Sequence, residues 1–445
     1  MKLIDGILRW GEEEGRKPCL IWNGEILTYQ ELQEKVISLG KRLSALDMKG
    51  KVLAVRLTDP KMQILYFLAA KKIGAVPLLL HEYLSGKEIA DLLCHRPIHG
   101  ILSDTPFEGI SWTPFGHLFW HEEGNGNERR GFAVLTSGSS GLPKVLFRDD
   151  ESWTDFFPVQ SEIFHVSSSS CLYQQGSMAF TGNLNMAMAF LWEGATIVGT
   201  TRLFPKTWMK DITSYGTTHV YMIPSKLLAL CRVKDKAASV SYVLTGSQLM
   251  THTLLSSLET HFPNSQTILY YGASEMSYVS YIEGEDIKKR PDSVGRPFPG
   301  VSISIQEGEI QVKTPYGVQG AKEPMTCHDL GSIDEEGFLH FLGRKEDVYH
   351  IKGNHVSKQK VLSHLLMLPG IEEAEMVSCK KENGDDLLVA FLVGEKKLTH
   401  PEILHLLEGK LQSWELPTRI LWLSKIPRTS TGKTDRKLLE EMVGR

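Results

Sequence analysis

The segment Phe132-Ala-Val-Leu-Thr-Ser-Gly-Ser-Ser-Gly-Leu-Pro-Lys144 decides how this chain is read. Its first part, Phe132-Ala-Val-Leu135, is a short apolar run with the character of a buried strand. It leads directly into Thr136-Ser-Gly-Ser-Ser-Gly-Leu-Pro-Lys144. Thr136, Ser137, Ser139 and Ser140 carry hydroxyls there, and Gly138 and Gly141 carry no side chain. Glycines let backbone N–H groups converge on an anion with no Cβ in the way. The hydroxyls add donors and Lys144 adds positive charge, a set that suits a polyphosphate. The spacing is not G-x-x-x-x-G-K-[ST], so this is not a Walker loop. A flexible Ser/Gly linker is the competing reading. A linker is not normally joined to a strand and closed by Pro143-Lys144, so the phosphate loop is preferred.

Strands and helices alternate on both sides of this segment. Upstream, Thr28-Tyr-Gln-Glu31 reads as a capping box that opens a helix, with Leu32, Val36, Leu39 and Leu43 on one face. Strand-like runs follow at Val52–Val55, Ala75–Leu80 and Ile98–Leu102, with a helix after Pro60 and another opened by the Ser85…Glu88 capping box. Downstream, runs at Thr196–Val198, His219–Met222, Val240–Leu244 and Thr267–Tyr271 are separated by helical patterns such as Met250–Phe262. This alternation predicts an α/β fold with mixed, largely parallel sheets covered by helices. After Tyr281 the pattern changes. Val301–Ile305, a polar turn and Ile310–Val312 alternate with period two, as in an antiparallel hairpin. The final segment mixes short strands with helical patterns at Val356–Met367 and Thr399–Gln412. The charged run Arg344–Asp347 marks the boundary. Residues 1–343 are read as a large N-terminal domain with a small antiparallel subdomain, 344–347 as a hinge, and 348–445 as a small α+β C-terminal domain.

A chain of 445 residues suggests two or three domains at about 150 residues each. With 49 basic against 53 acidic residues, nothing in the charge balance points to nucleic acid. The six cysteines form no C-x-x-C pair, which favours free thiols in a reducing compartment. The N-terminus has no signal-peptide core. The most apolar stretch, Ile64–Leu80, is broken by Lys71 and Lys72 and is too short and charged to span a bilayer. A cytoplasmic protein without an integral membrane segment is expected.

Four further motifs stand in order. Tyr270-Tyr271-Gly272-Ala273-Ser274-Glu275 follows a predicted strand, and Thr245-Gly246-Ser247 lies upstream of it. Cys327-His328-Asp329-Leu330-Gly331 comes next, then Gly343-Arg344-Lys345-Glu346-Asp347 with Gly353 beyond it. Ile426-Pro-Arg-Thr-Ser-Thr-Gly-Lys433 lies near the C-terminus. Read alone, they could be a strand-to-loop turn, an exotic His–Cys metal site lacking further ligands, a solvated charge run and an inert surface lysine.

Together with the first loop they resemble the adenylate-forming superfamily. The loop agrees at every position with that family's [ST]-[SG]-G-[ST]-[ST]-G-x-P-K signature. Tyr271 to Glu275 are similar to its Y-G-x-T-E motif, Asp329 to the aspartate of its T-G-D-x-G, and Lys433 to the lysine of its terminal motif. The resemblance covers about residues 27 to 439. It implies that Thr136, Ser137, Gly138, Ser139, Ser140, Gly141 and Lys144 hold the phosphates of ATP. It further implies that Gly246, Tyr271, Gly272 and Ala273 line the adenine, and that Ser274 contacts the α-phosphate. Glu275 would help to hold Mg²⁺, and Asp329 and Arg344 would bind the ribose. Lys433 would be catalytic, and Glu346 would be the hinge of a mobile C-terminal domain. Gly353 would line the thiol tunnel. Phe180 is the acyl-pocket candidate, since Gln174–Phe180 contains no His. His328 stands where the family has glycine. If that glycine serves positive φ or close approach, the loop here must be shaped differently.

The implied activity is ATP-dependent conversion of a carboxylic acid to acyl-AMP with release of pyrophosphate, then acyl transfer to a thiol, foremost CoA as co-substrate. A carboxylate is already ionised at neutral pH and needs no general base, in keeping with motifs that contain no Ser-His-Asp arrangement. Two alternatives stand beside an acyl-CoA synthetase. One is a stand-alone adenylation enzyme that loads a carrier protein. The other is a nucleotide-binding regulatory protein on a decayed scaffold, a reading kept open by His328 and opposed by Lys433, Glu275 and the complete loop. Fatty, aryl and dicarboxylic acids are all activated on this scaffold, so the acid is not legible. The association state is open, a homodimer included.

Overall fold

The computed structural model describes residues 2–123, 129–136, 143–248, 250–344, 348–351, 354–380, 386–394, 398–427 and 434–443. The opening segment builds the rim of a seven-stranded sheet among these residues. Strand Phe132–Thr136 lies parallel to Val76–Leu79, with Ala133 opposite Leu78. It pairs antiparallel with Lys144–Arg148, from Phe132↔Arg148 to Thr136↔Lys144. The phosphate-loop residues therefore connect two paired strands. Val52–Arg56 lies parallel to both Val76–Leu79 and Gly100–Ser103. Both predicted capping boxes are complete, at Thr28/Glu31 and Ser85/Glu88, and they open helices Tyr29–Leu43 and Gly86–His95.

A second sheet has thirteen strands among the described residues. Its centre is parallel: Thr196–Gly199, Cys171–Gln174, His219–Tyr221, Tyr242–Gly246 and Gln266–Ala273, in spatial order. Helices Thr181–Trp192, Pro205–Ser214, Pro224–Leu230 and His252–His261 connect them. The parallel strands thus end along one edge at Gln174, Gly199, Tyr221, Gly246 and Ala273, where open α/β sheets bind ligands. At Ser274–Met276 the chain reverses into Ser277–Glu283, antiparallel to the strand before it. The change to antiparallel pairing therefore precedes Tyr281. The sequence pattern hid this because Tyr278, Val279 and Ser280 are buried consecutively, so no two-residue alternation appears. The predicted hairpin spans Ser302–Gln306 and Glu309–Lys313. Its two turn residues, Glu307 and Gly308, have φ of 51° and 81°, as a type I′ turn requires.

Residues beyond 347 have their own apolar clusters. Val356, Val361, Leu365, Leu388 and Leu407 form one, and Val377, Phe391, Leu439 and Val443 another. The helix expected over 399–412 is shorter, His400–Leu407, and ends just before Gly409 at φ 76°. Among the described residues no helix is long and apolar enough to cross a membrane.

Candidate nucleotide and acyl site

At the open edge, side chains far apart in sequence meet. Thr136, at the mouth of the phosphate loop, donates its hydroxyl to Glu275 Oε1 at 3.4 Å. Lys144 is exposed at the other end of the loop. Arg148, at the end of the outgoing strand, is fully buried. Its Nη2 donates to the Ser274 carbonyl at 2.6 Å, and its Nη1 to the Tyr316 carbonyl at 2.9 Å and Ser152 Oγ at 3.3 Å. Burial pushes the guanidinium pKa down to about 10, and the charge of Glu275 opposes the fall. The group stays cationic at neutral pH. Arg148 thus ties the strand leaving the phosphate loop to the Ser274–Glu275 turn. Sequence reasoning missed it. The available signal was a charged residue closing the mostly apolar run Val145-Leu-Phe147, a place where a guanidinium must find acceptors.

The nucleotide-side motifs also converge. Tyr271 Oη donates to Asp329 Oδ2 at 2.7 Å, and Asp329 is buried. The Tyr271 ring lies 5.5 Å from that of Phe341. Asp329 is in register with Arg344 on the neighbouring strand, which sets the two backbones side by side. Gly246 is opposite Tyr270 in the parallel register. Gly272 follows a bulge, and a Cβ there would lie 2.3 Å from the Ser277 carbonyl oxygen, so only glycine fits. Ser137, Gly138, Ser139, Ser140, Gly141, Glu346, Gly353 and Lys433, and the side chain of Arg344, lie outside the described residues.

His328 corrects one expectation. The loop keeps the backbone shape that a glycine would allow, because His328 itself adopts φ 61°. Its N–H donates to Thr326 Oγ1 at 2.9 Å, and its ring Nδ1 sits 3.2 Å from Glu309 Oε2 in an exposed position. Histidine tolerates this left-handed region better than bulky residues do, at a cost that glycine does not pay. His328→Gly is accordingly expected to stabilise the fold by about 0.5–1 kcal/mol. Thermal unfolding checks this, and a lower midpoint in the variant would contradict it.

Beside Ser274 lies a cavity of about 300 Å³, lined by Gln175, Phe180, Tyr221, Lys226, Ser274 and Tyr278 among others. The hydroxyls of Thr181 and Ser274 are 3.0 Å apart. Thr181 opens a helix whose N-cap, Phe180, supplies no capping side chain, so the positive helix end faces the site. Tyr221 and Tyr270 join through their hydroxyls at 2.7 Å and form one wall. A Cβ at Gly182 would lie 2.7 Å from Tyr221 Oη, so glycine keeps this wall close to the helix. Phe180 is half exposed, with its ring 4.4 Å from that of His81. His81, just beyond the Val76–Leu79 strand, thus packs on Phe180, a proximity that only the fold creates. Burial lowers the His81 pKa, which favours the neutral ring.

This architecture is the fold of the adenylate-forming enzymes. The o-succinylbenzoate CoA synthetase MenE of Bacillus subtilis, solved with the acyl-adenylate intermediate OSB-AMP, superposes with a TM-score of 0.79 at 19% identity, covering 98% of this chain and 97% of that one. The same synthetase has been solved with ATP and magnesium ion (TM-score 0.78, 18% identity, covering 98% and 99%). Residues 127–321 match the model of the AMP-binding enzyme family. An uncharacterised acyl–CoA ligase of Bacillus subtilis, YhfT, is 28% identical over 330 residues, 69% of this chain and 68% of the relative. A putative long chain fatty acid–CoA ligase of Staphylococcus aureus, VraA, is 23% identical over 436 residues, covering 94% and 93%.

Proposed function

We propose that this chain is an AMP-forming acid–thiol ligase that activates a carboxylic acid with ATP and passes the acyl group to CoA. The observation that carries the reading is one sheet edge that gathers the ends of the phosphate loop, the Ser274–Glu275 turn, the Tyr271–Asp329 pair and an acyl-sized cavity. In the first step a carboxylate oxygen attacks the α-phosphorus, an acyl–phosphate bond forms, and pyrophosphate leaves. Two anions must meet in line, so the protein's work is charge cancellation and positioning. Residues 136–144 hold the β- and γ-phosphates, Ser274 and the helix end at Thr181 face the α-phosphate, and Lys433 bridges it to the carboxylate. Tyr271 packs on the adenine, and Asp329, with Arg344, receives the ribose hydroxyls.

Glu275 and Thr136 offer two adjacent oxygen donors at the mouth of the loop, a set that fits Mg²⁺, which prefers few protein oxygens alongside phosphate and water. When bound, the ion would offset phosphate charge. Glu275→Ala is expected to lower adenylation by about 10²-fold and to raise the Mg²⁺ concentration needed for half-maximal rate. A Mg²⁺ titration checks it, and an unchanged titration midpoint would contradict the assigned role.

In the second step the thiol sulfur attacks the acyl carbonyl and AMP leaves. The self-contained apolar clusters beyond residue 347 support a C-terminal domain that turns about Glu346, withdrawing Lys433 and presenting the Gly353 face. The six free cysteines support a cytoplasmic setting. Pyrophosphate release over a panel of acids, with and without CoA, tests the reading. Acid-dependent release and a CoA thioester product are expected. Release without a thioester, restored by a phosphopantetheinyl carrier protein, would replace CoA as acceptor.

A further inference from the structure

One group in the cavity is not accounted for by adenylation. Lys226 lies on the helix Pro224–Leu230 and lines the cavity that Ser274 borders. Its ammonium is half-buried and donates to Gln175 alone among the described residues, to the main-chain carbonyl at 3.2 Å and, closely, to Oε1. Both acceptors are neutral. Among the described residues Glu82 is the one carboxylate whose charge reaches it, and the two form no ion pair. Burial accordingly lowers the Lys226 pKa, with Glu82 opposing.

A second donor points to the same place. Gly176 has φ 126°, and a Cβ built on it would lie 3.0 Å from Asn183 Nδ2 and 3.3 Å from Lys226 Nζ, so the ammonium and the amide converge over this glycine. Asn183 uses its amide on the Ser177 carbonyl at 2.9 Å, which leaves its second N–H. Asn185, one turn into the neighbouring helix, also lines the cavity. It is 3% exposed, and neither its amide nitrogen nor its oxygen has a partner. A pocket built for a plain hydrocarbon chain would leave the Lys226 charge without a counter-charge and the Asn185 amide unanswered, an arrangement that costs free energy.

We propose that Lys226, with Asn183, binds a second carboxylate, and that the substrate is a short dicarboxylic acid activated at the carboxylate beside Ser274. This rests on the ligase reading above and narrows it. A carboxylate accepts several hydrogen bonds at once and would answer both the ammonium and the Asn183 amide. The cavity volume, at the low end for ligand sites, suits a short or single-ring acid.

The test compares pyrophosphate release from glutarate against pentanoate, adipate against hexanoate, and isophthalate against benzoate. The wild-type protein is expected to favour the diacid in at least one pair by roughly 10- to 100-fold in kcat/KM, the range for a hydrogen-bonded charge. Lys226→Met should remove most of that ratio, chiefly through KM, and Lys226→Arg should keep part of it. If monoacids are adenylated as well as or better than their diacid partners, the second-carboxylate site is wrong while the ligase reading stands. If no acid supports release, the ligase reading fails and this inference fails with it. Should Lys226→Met not fold, the wild-type ratios decide alone.

Discussion

Replacing Lys433 with alanine is expected to lower acyl-adenylate formation by about 10²–10³-fold, the range for losing one positioned donor to a transition-state charge. Thioester formation from supplied acyl-adenylate should stay within about tenfold of wild type. The argument is electrostatic. Adenylation brings an anionic carboxylate against an anionic α-phosphate, and a cation must sit between them. In thioester formation the attacking thiol meets a mixed anhydride with a good leaving group, and a lysine in that place has nothing to bridge. Single-turnover assays of the two half-reactions separate these cases. Equal loss in both would mean that the terminal segment acts in one arrangement only, and would remove the basis for rotation about Glu346.

The second large effect concerns stability. Arg148→Met is expected to destabilise the fold by about 3–5 kcal/mol. The substitution strips the Ser274 and Tyr316 carbonyls and Ser152 of a buried cationic donor. Methionine fills part of the volume and offers no hydrogen bond. Against a total stability of roughly 5–15 kcal/mol, this is enough to lower the thermal midpoint markedly. Because the lost bonds hold the Ser274–Glu275 turn, whatever folds should also show a raised KM for Mg–ATP. Arg148→Lys should recover little, since one ammonium cannot serve diverging carbonyls as a planar guanidinium does. A midpoint within a degree or two of wild type would show that the turn is held by other contacts.

The main elements were legible because their signals are local. Capping boxes at Thr28 and Ser85, the apolar runs at Val52 and His219, and the turn at Glu307-Gly308 each specify their conformation within a few residues. What escaped the sequence depends on distance. The contact of Arg148 with Ser274 spans 126 residues, and His81 meets Phe180 across the meeting of two sheets. Nothing local marks Lys226; what sets it apart is the Gln175–Gly176 loop that the fold brings beside it. His328 was the opposite case. Its residue type suggested an altered loop, yet its backbone adopts the left-handed conformation anyway, because a surface histidine beside Glu309 can absorb the strain. The antiparallel turn after Ala273 was placed late, since burial on both faces erased the alternation that marks such strands.

The most direct measurement is exchange of labelled pyrophosphate into ATP with acid present and thiol absent. A reversible adenylation step predicts exchange that requires the acid, requires Mg²⁺ and proceeds without CoA. Exchange that ignores the acid, or none with any acid of the panel under conditions where the protein binds ATP, would contradict acid activation by this chain.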